Sequence, residues 1–353
     1  MTSSSELVVV IGGGQSGLAG ARALLDAGLR PVVLEAGERP VGSWPSYYDS
    51  LTLFSPARYS GFPGMPFAGD PDRYPVRDEV VEHLGKYAAS LDAEIRTGAT
   101  VAGVERAGAG FDVQLADGET VHAAGVVAAS GSFRNPFVPA VPARETFGGE
   151  VLHVADYRSP QPYAGRRVVV VGAGNSAIQL AHELAAVAEV KLATRAPVRF
   201  LPQVRGGRDL HFWLDKLKLD LLPPAVLARL FSGTPVLDTG IYQAAIESGD
   251  LPRRDMFTAF DADGVVWPGG GREQVDVVLF ATGYRPSLPY LRDLGAPAAD
   301  GMPLHRRGLS TTYPRLVYLG LEFQRSFSSN TLRGVHRDAQ FVAGALAREL
   351  RRG

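Results

Sequence analysis

The chain has 353 residues, a mean hydropathy of +0.00 and 45% hydrophobic residues, which is enough for two ordinary domains with a core each. Its 36 basic and 37 acidic side chains nearly cancel, so neither a nucleic acid nor an anionic membrane is expected as a partner. Because the sequence contains no cysteine, a disulfide framework, a Cys-ligated metal and a dithiol relay are excluded.

The first elements along the chain form a βαβ unit. An apolar run at 7–11 predicts a buried strand, 16–27 a helix and 31–34 a second strand. The sequence GGGQSG joins the first strand to the helix, with Gly12, Gly14 and Gly17 in a G-x-G-x-x-G pattern. Glycines at these positions let the backbone approach a pyrophosphate, and the helix N-terminus favours its charge.

A carboxylate completes this first nucleotide site. Glu35 ends the second strand 23 residues after Gly12, where it can accept hydrogen bonds from both ribose hydroxyls. A dinucleotide site so close to the N-terminus fits FAD proteins. We therefore expect the three glycines, the first-turn residues Gln15 and Ser16, and Glu35 to contact FAD.

A long segment at 42–74 follows, dense in Gly, Pro, Ser and aromatic residues. It is too long for a simple connection, so we expect it to line a site or to form a solvent-facing lid. Beyond it the pattern predicts a helix over 77–90, a small antiparallel sheet near 98–104 and 111–115 with a turn at Asp117-Gly118, and a buried strand over 125–129.

The pattern of the first unit restarts after a Pro-rich crossing at 135–142. A strand is predicted over 167–171, GAGNSA follows, a helix is expected over 176–186, and 189–193 predicts the next strand. This is the first unit repeated 160 residues later. The chain is therefore expected to hold two nucleotides.

The second unit differs from the first in charge. Gly172, Gly174 and Ala177 form G-x-G-x-x-A, and the residue 23 positions past Gly172 is Arg195. A carboxylate there would repel a 2′-phosphate, whereas a guanidinium pairs with it, so NADPH is expected over NADH. The alternative for Arg195 is an ordinary exposed charge. The expected NADP contacts are Gly172, Gly174, Asn175, Ser176, Arg195 and Arg199.

The remaining elements are less distinctive. Residues 207–232 look helical and insertion-like, and 275–280 predicts a strand that ends in ATGY. The chain then returns through a strand at 316–319. A terminal helix is expected over about 330–351.

Two nucleotide units on one chain indicate that hydride passes from NADPH to flavin, which then needs an acceptor. A disulfide acceptor would require a cysteine pair, and a protein acceptor usually requires a charged docking face that a sequence cannot show. Molecular oxygen requires neither. An aromatic segment such as 44–67 would also exclude water from a reactive intermediate.

The segment FGGEVLHVADY places Phe147, Gly149, His153 and Tyr157 in the pattern F-x-G-x-x-x-H-x-x-x-[YF]. In this segment the chain resembles the class B flavin-containing monooxygenases, especially their short bacterial, CzcO-like members. Further matches are GGGQSG, the segment from Trp44 through YDSLTLFSPARYSGFPG, YPVRDEV, GAGNSA, FATGY and NTLRG. Together they cover almost the whole chain.

The resemblance implies an α/β fold with two Rossmann-like dinucleotide-binding domains. The FAD domain would comprise 1–150 and 281–353, and the inserted NADP domain 151–280, with a helical insertion near 207–232. It also implies that Trp44 borders FAD and that the turn before the last helix lies near the flavin pyrimidine. A helix beginning near Asn330 and Thr331 would stabilise the negative charge of reduced flavin.

The linker motif and the flavin face carry two further expectations. For His153 the resemblance implies a role in the linker that couples the domains, with a structural histidine as the alternative. Baeyer-Villiger enzymes typically carry Trp at the position of Tyr157, so heteroatom oxygenation is favoured. Larger members place Asn over the reactive flavin carbon, whereas Phe54 occupies that position here. Phe54 and Tyr59 could instead be ordinary core aromatics.

The sequence thus predicts an FAD-containing, NADPH-dependent monooxygenase that forms a flavin C4a-hydroperoxide and oxygenates a thioether or amine of a small molecule. The alternatives are a flavin oxidoreductase with another electron acceptor, Baeyer-Villiger oxygenation of a ketone, and a non-enzymatic redox-sensing protein. No metal site is predicted, and a homodimer is compatible with the sequence. With no recognisable leader and no apolar run of about 20 residues, a cytoplasmic protein is expected.

Overall fold

The computed structural model describes residues 7–219, 222, 226 and 235–352. Within them the chain forms two mainly parallel β-sheets, each covered by helices on one face and by an antiparallel meander on the other. This confirms the predicted α/β fold with two Rossmann-like units.

The α-helices among the described residues are α1 (Gln15–Asp26), α2 (Ala57–Ser60), α3 (Arg77–Ala89), α4 (Asn175–Ala185), α5 (Leu210–Lys216), α6 (Ile241–Ser248) and α7 (Val335–Leu350). The strands are β1 (Leu7–Ile11), β2 (Arg30–Leu34), β3 (Glu94–Arg96), β4 (Val101–Ala107), β5 (Gly110–Leu115), β6 (Thr120–Ala123), β7 (Gly125–Ala128), β8 (Glu150–His153), β9 (Arg167–Val171), β10 (Glu189–Thr194), β11 (Phe200–Pro202), β12 (Val204–Arg205), β13 (Arg208–Asp209), β14 (Val236–Asp238), β15 (Arg253–Asp255), β16 (Ala259–Asp261), β17 (Gly264–Val266), β18 (Arg272–Gln274), β19 (Val277–Phe280), β20 (His305–Arg306), β21 (Leu309–Ser310) and β22 (Leu316–Tyr318).

The first sheet has the strand order β20-β21-β22-β7-β1-β2-β3. Strands β22, β7, β1, β2 and β3 pair in parallel, and β20 and β21 form an antiparallel edge. Helices α1, α3 and α7 cover one face, and the β4–β6 meander covers the other. Because both faces are covered, β1 is a continuous apolar run rather than an alternating one.

The second sheet has the order β15-β10-β9-β19-β8 and is parallel throughout. Helices α4 and α6 pack on one face, and the β16–β18 meander packs on the other through Phe257, Phe260 and Trp267. The strands of this sheet lie between those of the first sheet in sequence. The parallel strands place their carboxyl ends at one edge of each sheet, next to the glycine turns.

The last helix begins later than predicted, at Val335 instead of near Asn330. Serine hydroxyls compete for the backbone here, since Ser326 donates its N–H to Ser329 Oγ at 2.9 Å. Gly334 packs so closely that an added Cβ would lie 2.2 Å from the carbonyl oxygen of Ser328. The prediction of a helix N-terminus at Asn330 and Thr331 is therefore wrong, and these residues lie in the preceding turns.

The predicted helical insertion at 207–232 is partly wrong and partly outside the described residues. Its beginning is the second strand of the β12–β13 hairpin, and the described helix is the short α5. Residues 220–221, 223–225 and 227–234 are outside the described part of the chain. No helix among the described residues is long and apolar enough to span a bilayer.

Candidate functional site

The turn between β1 and α1 has room only for glycine at two of its predicted positions. Gly12 has a φ of +104°, and a Cβ added there would lie 2.7 Å from the carbonyl oxygen of Ala129. At Gly17 an added Cβ would lie 1.7 Å from the carbonyl oxygen of Gly12. Helix α1 starts after Gly14 with no side-chain cap and no acidic residue in its first turn. Its first N–H groups are therefore open to an anion.

Glu35 closes this turn from the end of β2. Its side chain is buried, and its oxygens accept the backbone N–H of Gly13 at 2.5 Å and of Gly37 at 2.7 Å. Each oxygen keeps a second lone pair for a hydroxyl. A shallow groove of about 780 Å³ lies between Arg39 after β2, the second half of α3 and Thr97 after β3.

Three of the predicted flavin contacts meet in one hydrogen-bonded chain. Trp44 donates its indole N–H to Gln15 Oε1 at 3.1 Å, and Gln15 donates Nε2 to the carbonyl oxygen of Asn330 at 2.6 Å. The first turn of α1 is thus tied both to the aromatic segment and to the turn before the last helix. Residues 315 positions apart in sequence meet at this point.

The two other predicted contacts are placed differently. Ser16 is buried against Gly320, where an added Cβ would lie 2.1 Å from the Ser16 hydroxyl oxygen. Thr331 donates its hydroxyl to the carbonyl oxygen of Ser328 at 2.8 Å. The hydroxyl proton of Thr331 therefore serves the local turn, and only its remaining lone pairs are open to a ligand.

The turn between β9 and α4 repeats the first cradle. Gly172 has a φ of +144°, and an added Cβ would lie 2.4 Å from the carbonyl oxygen of Ala281. Helix α4 begins after Gly174 without a side-chain cap or an acidic first turn. The side chain of Asn175 is bonded to β14, since its Oδ1 accepts the N–H of Leu237 at 2.9 Å. Ser176 is half-buried in the first turn.

Positive charge gathers at the carboxyl edge of the second sheet. Arg195 is exposed directly after β10 and forms no ion pair with any described residue. Arg199 is also exposed, and its carbonyl oxygen accepts the N–H of Val236 at 2.8 Å. Arg253 on β15, which the sequence analysis missed, donates Nε to Thr194 Oγ1 at 2.8 Å and forms an ion pair with Asp255 at 2.7 Å. No motif marks Arg253, since only strand pairing brings it beside β10.

His153 joins the outgoing and returning linkers. Its Nδ1 accepts the N–H of Ala155 at 3.1 Å, so Nε2 carries the ring proton and lies 3.1 Å from the carbonyl oxygen of Gly283. Burial lowers its pKa, which favours the neutral ring. Tyr284 packs edge-on against the ring at 4.9 Å. This geometry places His153 in a structural role at the junction of the two sheets.

The other linker-motif residues pack the same junction. A Cβ on Gly149 would lie 2.3 Å from the ring of Phe147, which itself packs against Phe260 at 5.2 Å. Tyr157 is completely buried and stacks on Tyr163 at 5.7 Å. Burial raises the pKa of the Tyr157 hydroxyl, so it stays neutral. Phe147 thus packs on the meander face of the second sheet and Tyr157 on its helical face, so the motif residues act in packing but do not form one cluster.

Within the aromatic segment at 42–74, the two ends of the loop 53–75 are held together, and we call this place the neck of the loop. Leu53 donates its N–H to the carbonyl oxygen of Pro75 at 2.9 Å, and Thr52 pairs with Val76 in an isolated bridge. Residues 53–75 therefore leave and return at one place. Phe54 stands just inside this neck with 38% of its surface exposed, so it is not an ordinary core aromatic.

A polar cluster of Tyr74, Gln203, Asp209 and His211 contacts Phe54 through Gln203 and His211. The sequence analysis missed this cluster. Gln203 donates Nε2 to the carbonyl oxygen of Phe54 at 3.0 Å and to Asp209 Oδ2 at 2.5 Å. Tyr74, at the other side of the neck, donates its hydroxyl to the same Asp209 oxygen at 2.6 Å. His211 contacts Asp209 and stacks on Phe54. The only sequence signal was Asp-x-His inside a segment predicted to be helical.

Comparison with known proteins agrees with this geometry. The profile of the family described as pyridine nucleotide-disulphide oxidoreductase matches residues 9–205. An uncharacterized oxidoreductase CzcO-like of Geobacillus kaustophilus is 30% identical over 95% of this chain and 96% of its own length. Indole-3-pyruvate monooxygenase YUCCA1 of Oryza sativa is 32% identical over 81% of this chain and 79% of its own. The structure of a flavin-containing monooxygenase from Stenotrophomonas maltophilia superimposes with a TM-score of 0.85 at 30% identity, covering 97% of this chain and 98% of that one.

Proposed function

Since the chain belongs to the pyridine nucleotide-disulphide oxidoreductase family and is a flavin-dependent oxidoreductase of the monooxygenase type, we propose that it oxygenates a thioether or amine of a small molecule with NADPH as reductant. The observation that carries this proposal is the opposite charge of its two glycine turns. In the first unit the second strand is followed by the buried carboxylate of Glu35. In the second unit the corresponding strand is followed by the exposed guanidinium of Arg195.

The residues present fit a flavin dinucleotide at the first turn. The Cβ-free cradle at Gly12 and Gly17 leaves backbone open to a pyrophosphate, and the uncapped start of α1 favours its charge. Glu35 has lone pairs left for ribose hydroxyls. We assign residues 1–150 and 281–353 to this FAD-binding domain.

The second turn fits NADPH for a matching reason. Gly172 and the uncapped start of α4 form a second phosphate cradle, and Arg195 stands at the position that Glu35 holds in the first unit. Arg195 and Arg199 are assigned to the 2′-phosphate. We assign residues 151–280 to this NADP-binding domain, with the linker residues Phe147, Gly149, His153 and Tyr157 at its junction.

The bound flavin and nicotinamide supply hydride transfer and oxygen activation. The chain supplies placement and shelter. Gln15 and Trp44 fix the aromatic segment against the turn at Asn330 and Thr331, and Phe54, just inside the closed neck of 53–75, contacts Gln203 and His211. Excluding water from the reacting flavin protects a reactive oxygen species from loss.

The test compares coupled and uncoupled turnover. We expect the purified protein to contain FAD, to oxidise NADPH more efficiently than NADH, and to convert a sulfide or an amine into its oxygenated product. Product should be scored directly, by mass spectrometry, and compared with the hydrogen peroxide released. If sulfides, amines and ketones all give peroxide equal to the NADPH consumed and no oxygenated product, the monooxygenase proposal is wrong.

A further inference from the structure

A basic and aromatic surface lies on the outer side of the β12–β13 hairpin and helix α5. The buried residues of α5 are His211 and Leu214, which are three positions apart and mark its inner face. The outer surface carries three cations, two aromatic rings and one leucine. We call it the hairpin–helix patch, and its residues are Arg205, Arg208, Phe212, Trp213, Lys216 and Leu217.

Contacts among these side chains join the hairpin to the helix. The Arg208 guanidinium lies over the ring of Phe212 at 5.2 Å, and Lys216 Nζ lies 5.4 Å from the same ring and 5.8 Å from that of Trp213. Trp213 donates its indole N–H to the carbonyl oxygen of Arg205 at 3.0 Å, and Arg205 pairs directly with Arg208 across the hairpin. Each ring of the patch therefore carries a cation, and the cations share one side of the hairpin.

The positive charge of the patch is not neutralised. Residues 199–218 contain five basic residues and two acidic ones. Of the acids, Asp209 is bonded inside the polar cluster with Tyr74, and Asp215 pairs with Lys218 at 3.1 Å. The three cations of the patch form no ion pair with any residue in the described part of the chain. The near-zero net charge of the whole chain, which argues against an anionic membrane as a partner, therefore conceals a local excess of positive charge.

Apolar surface stands exposed beside these cations. Leu217, four positions after Trp213, is 60% exposed and is the most exposed large hydrophobic side chain in the described part of the chain. Phe212 and Trp213 are only half-buried. Rings and aliphatic groups flanked by Lys and Arg are typical of a segment that lies in the interface of a bilayer, where the apolar groups enter the acyl boundary and the cations meet lipid headgroups.

We propose that the hairpin–helix patch docks on the surface of a membrane that contains anionic lipids. Each Lys or Arg near such a surface strengthens binding about fivefold, and the amphipathic ring of Trp213 suits the headgroup level. A protein partner fits less well, because lysine is depleted in protein interfaces, whereas Lys216 contacts both rings of this patch. The inference is independent of the reaction that the enzyme catalyses.

Vesicle binding by the FAD-loaded protein tests the proposal. We expect it to cosediment with vesicles of phosphatidylcholine mixed with phosphatidylglycerol and to stay in solution with phosphatidylcholine alone, and raising the salt should weaken binding. Arg208→Gln and Lys216→Gln should each lower the partition coefficient about fivefold. Arg292→Gln is the matched control, because Arg292 is exposed and follows Leu291 in the core of the first sheet. It removes the same charge and should leave binding unchanged.

Fluorescence shows whether the patch enters the bilayer. Vesicles with brominated acyl chains should quench part of the tryptophan fluorescence of the protein, and this quenching should disappear in Trp213→Phe. Leu217→Asp, which places a charge among the acyl chains, should also reduce it. Retained FAD and an unchanged Tm in each variant exclude loss of the fold as the cause.

The proposal is overturned if the protein does not bind anionic vesicles, or if Arg292→Gln loses as much binding as the patch variants. Heparin, a soluble polyanion, separates a membrane from other acidic partners. If the patch variants weaken heparin binding and brominated lipids quench nothing, the patch binds a soluble polyanion and the membrane proposal is wrong.

Discussion

Reversing the charge of Arg195 tests which nucleotide the second turn binds. Arg195 is exposed and follows β10 directly, so its field acts largely through water. Two unit charges 4 Å apart in water are worth about 1 kcal/mol, and a phosphate monoester carries up to about two charges. Arg195→Glu turns this attraction into an equal repulsion, a change of about 4 kcal/mol before screening, which salt at physiological strength reduces to about 2 kcal/mol.

That difference corresponds to about a thirtyfold rise in the KM for NADPH, whereas NADH, which lacks the 2′-phosphate, should change little. Steady-state oxidation of both nucleotides by the same preparations measures it, and raising the salt should narrow the gap between parent and variant. Arg144→Glu is the matched control, because Arg144 is exposed before β8, at the opposite edge of the same sheet. Equal losses for NADPH and NADH would refute the assignment and mean that the phosphate is held elsewhere.

Three further predictions concern the cradle, acid stability and the linker. Gly17→Ala places a methyl group 1.7 Å from a backbone carbonyl, so we expect loss of bound flavin and a lower Tm. Gly20→Ala on the same helix, where the Cβ meets the ends of the Leu319 and Val127 side chains at 3.1 and 3.8 Å, should keep both the flavin and the Tm. Flavin retained by Gly17→Ala would contradict the cradle. Asp276 has its pKa lowered from 3.8 to about 2, chiefly by side-chain hydrogen bonds from Arg167. A carboxyl group whose pKa is lowered by folding stabilises the folded state at pH values above its ordinary pKa of 3.8. This stabilisation is lost as the pH falls to about 2. In urea titrations Asp276→Asn should therefore be less stable than the parent near neutral pH, with the difference shrinking below about pH 4; a difference independent of pH would be inconsistent with this. His153→Phe removes the hydrogen bonds at both ring nitrogens and should lower the free energy of unfolding by about 1–3 kcal/mol; an unchanged urea midpoint would show that the junction is held without them.

The corrected helix start also bears on the flavin site. With α7 beginning at Val335, the helix N-terminus is displaced from Asn330 and Thr331 by about one turn. Asn330 still lies beside the first glycine turn, because Gln15 donates to its carbonyl oxygen. Because the helix starts at Val335, we expect any stabilisation of negative charge near Asn330 to come from backbone N–H groups of the turns and not from the start of a helix.

The sequence by itself determined the two nucleotide turns and their difference in charge. A turn that needs positive φ and close backbone approach admits little but glycine, so Gly12 and Gly172 are visible without a structure. The strand and helix on each side of a turn are also local, since apolar periodicity alone identifies them. For these reasons β1, α1, β9 and α4 match their predicted positions within one residue.

Only the tertiary structure decided which distant residues share a site. Asp209 collects Tyr74, Gln203 and His211 from both nucleotide units, and nothing in their spacing along the chain implies that they meet. The start of the last helix was likewise decided by tertiary context. Serine hydroxyls and the close packing at Gly334 outweighed helical propensity there. Local patterns specify local geometry, whereas a hydrogen-bonded cluster between domains depends on how the sheets pack.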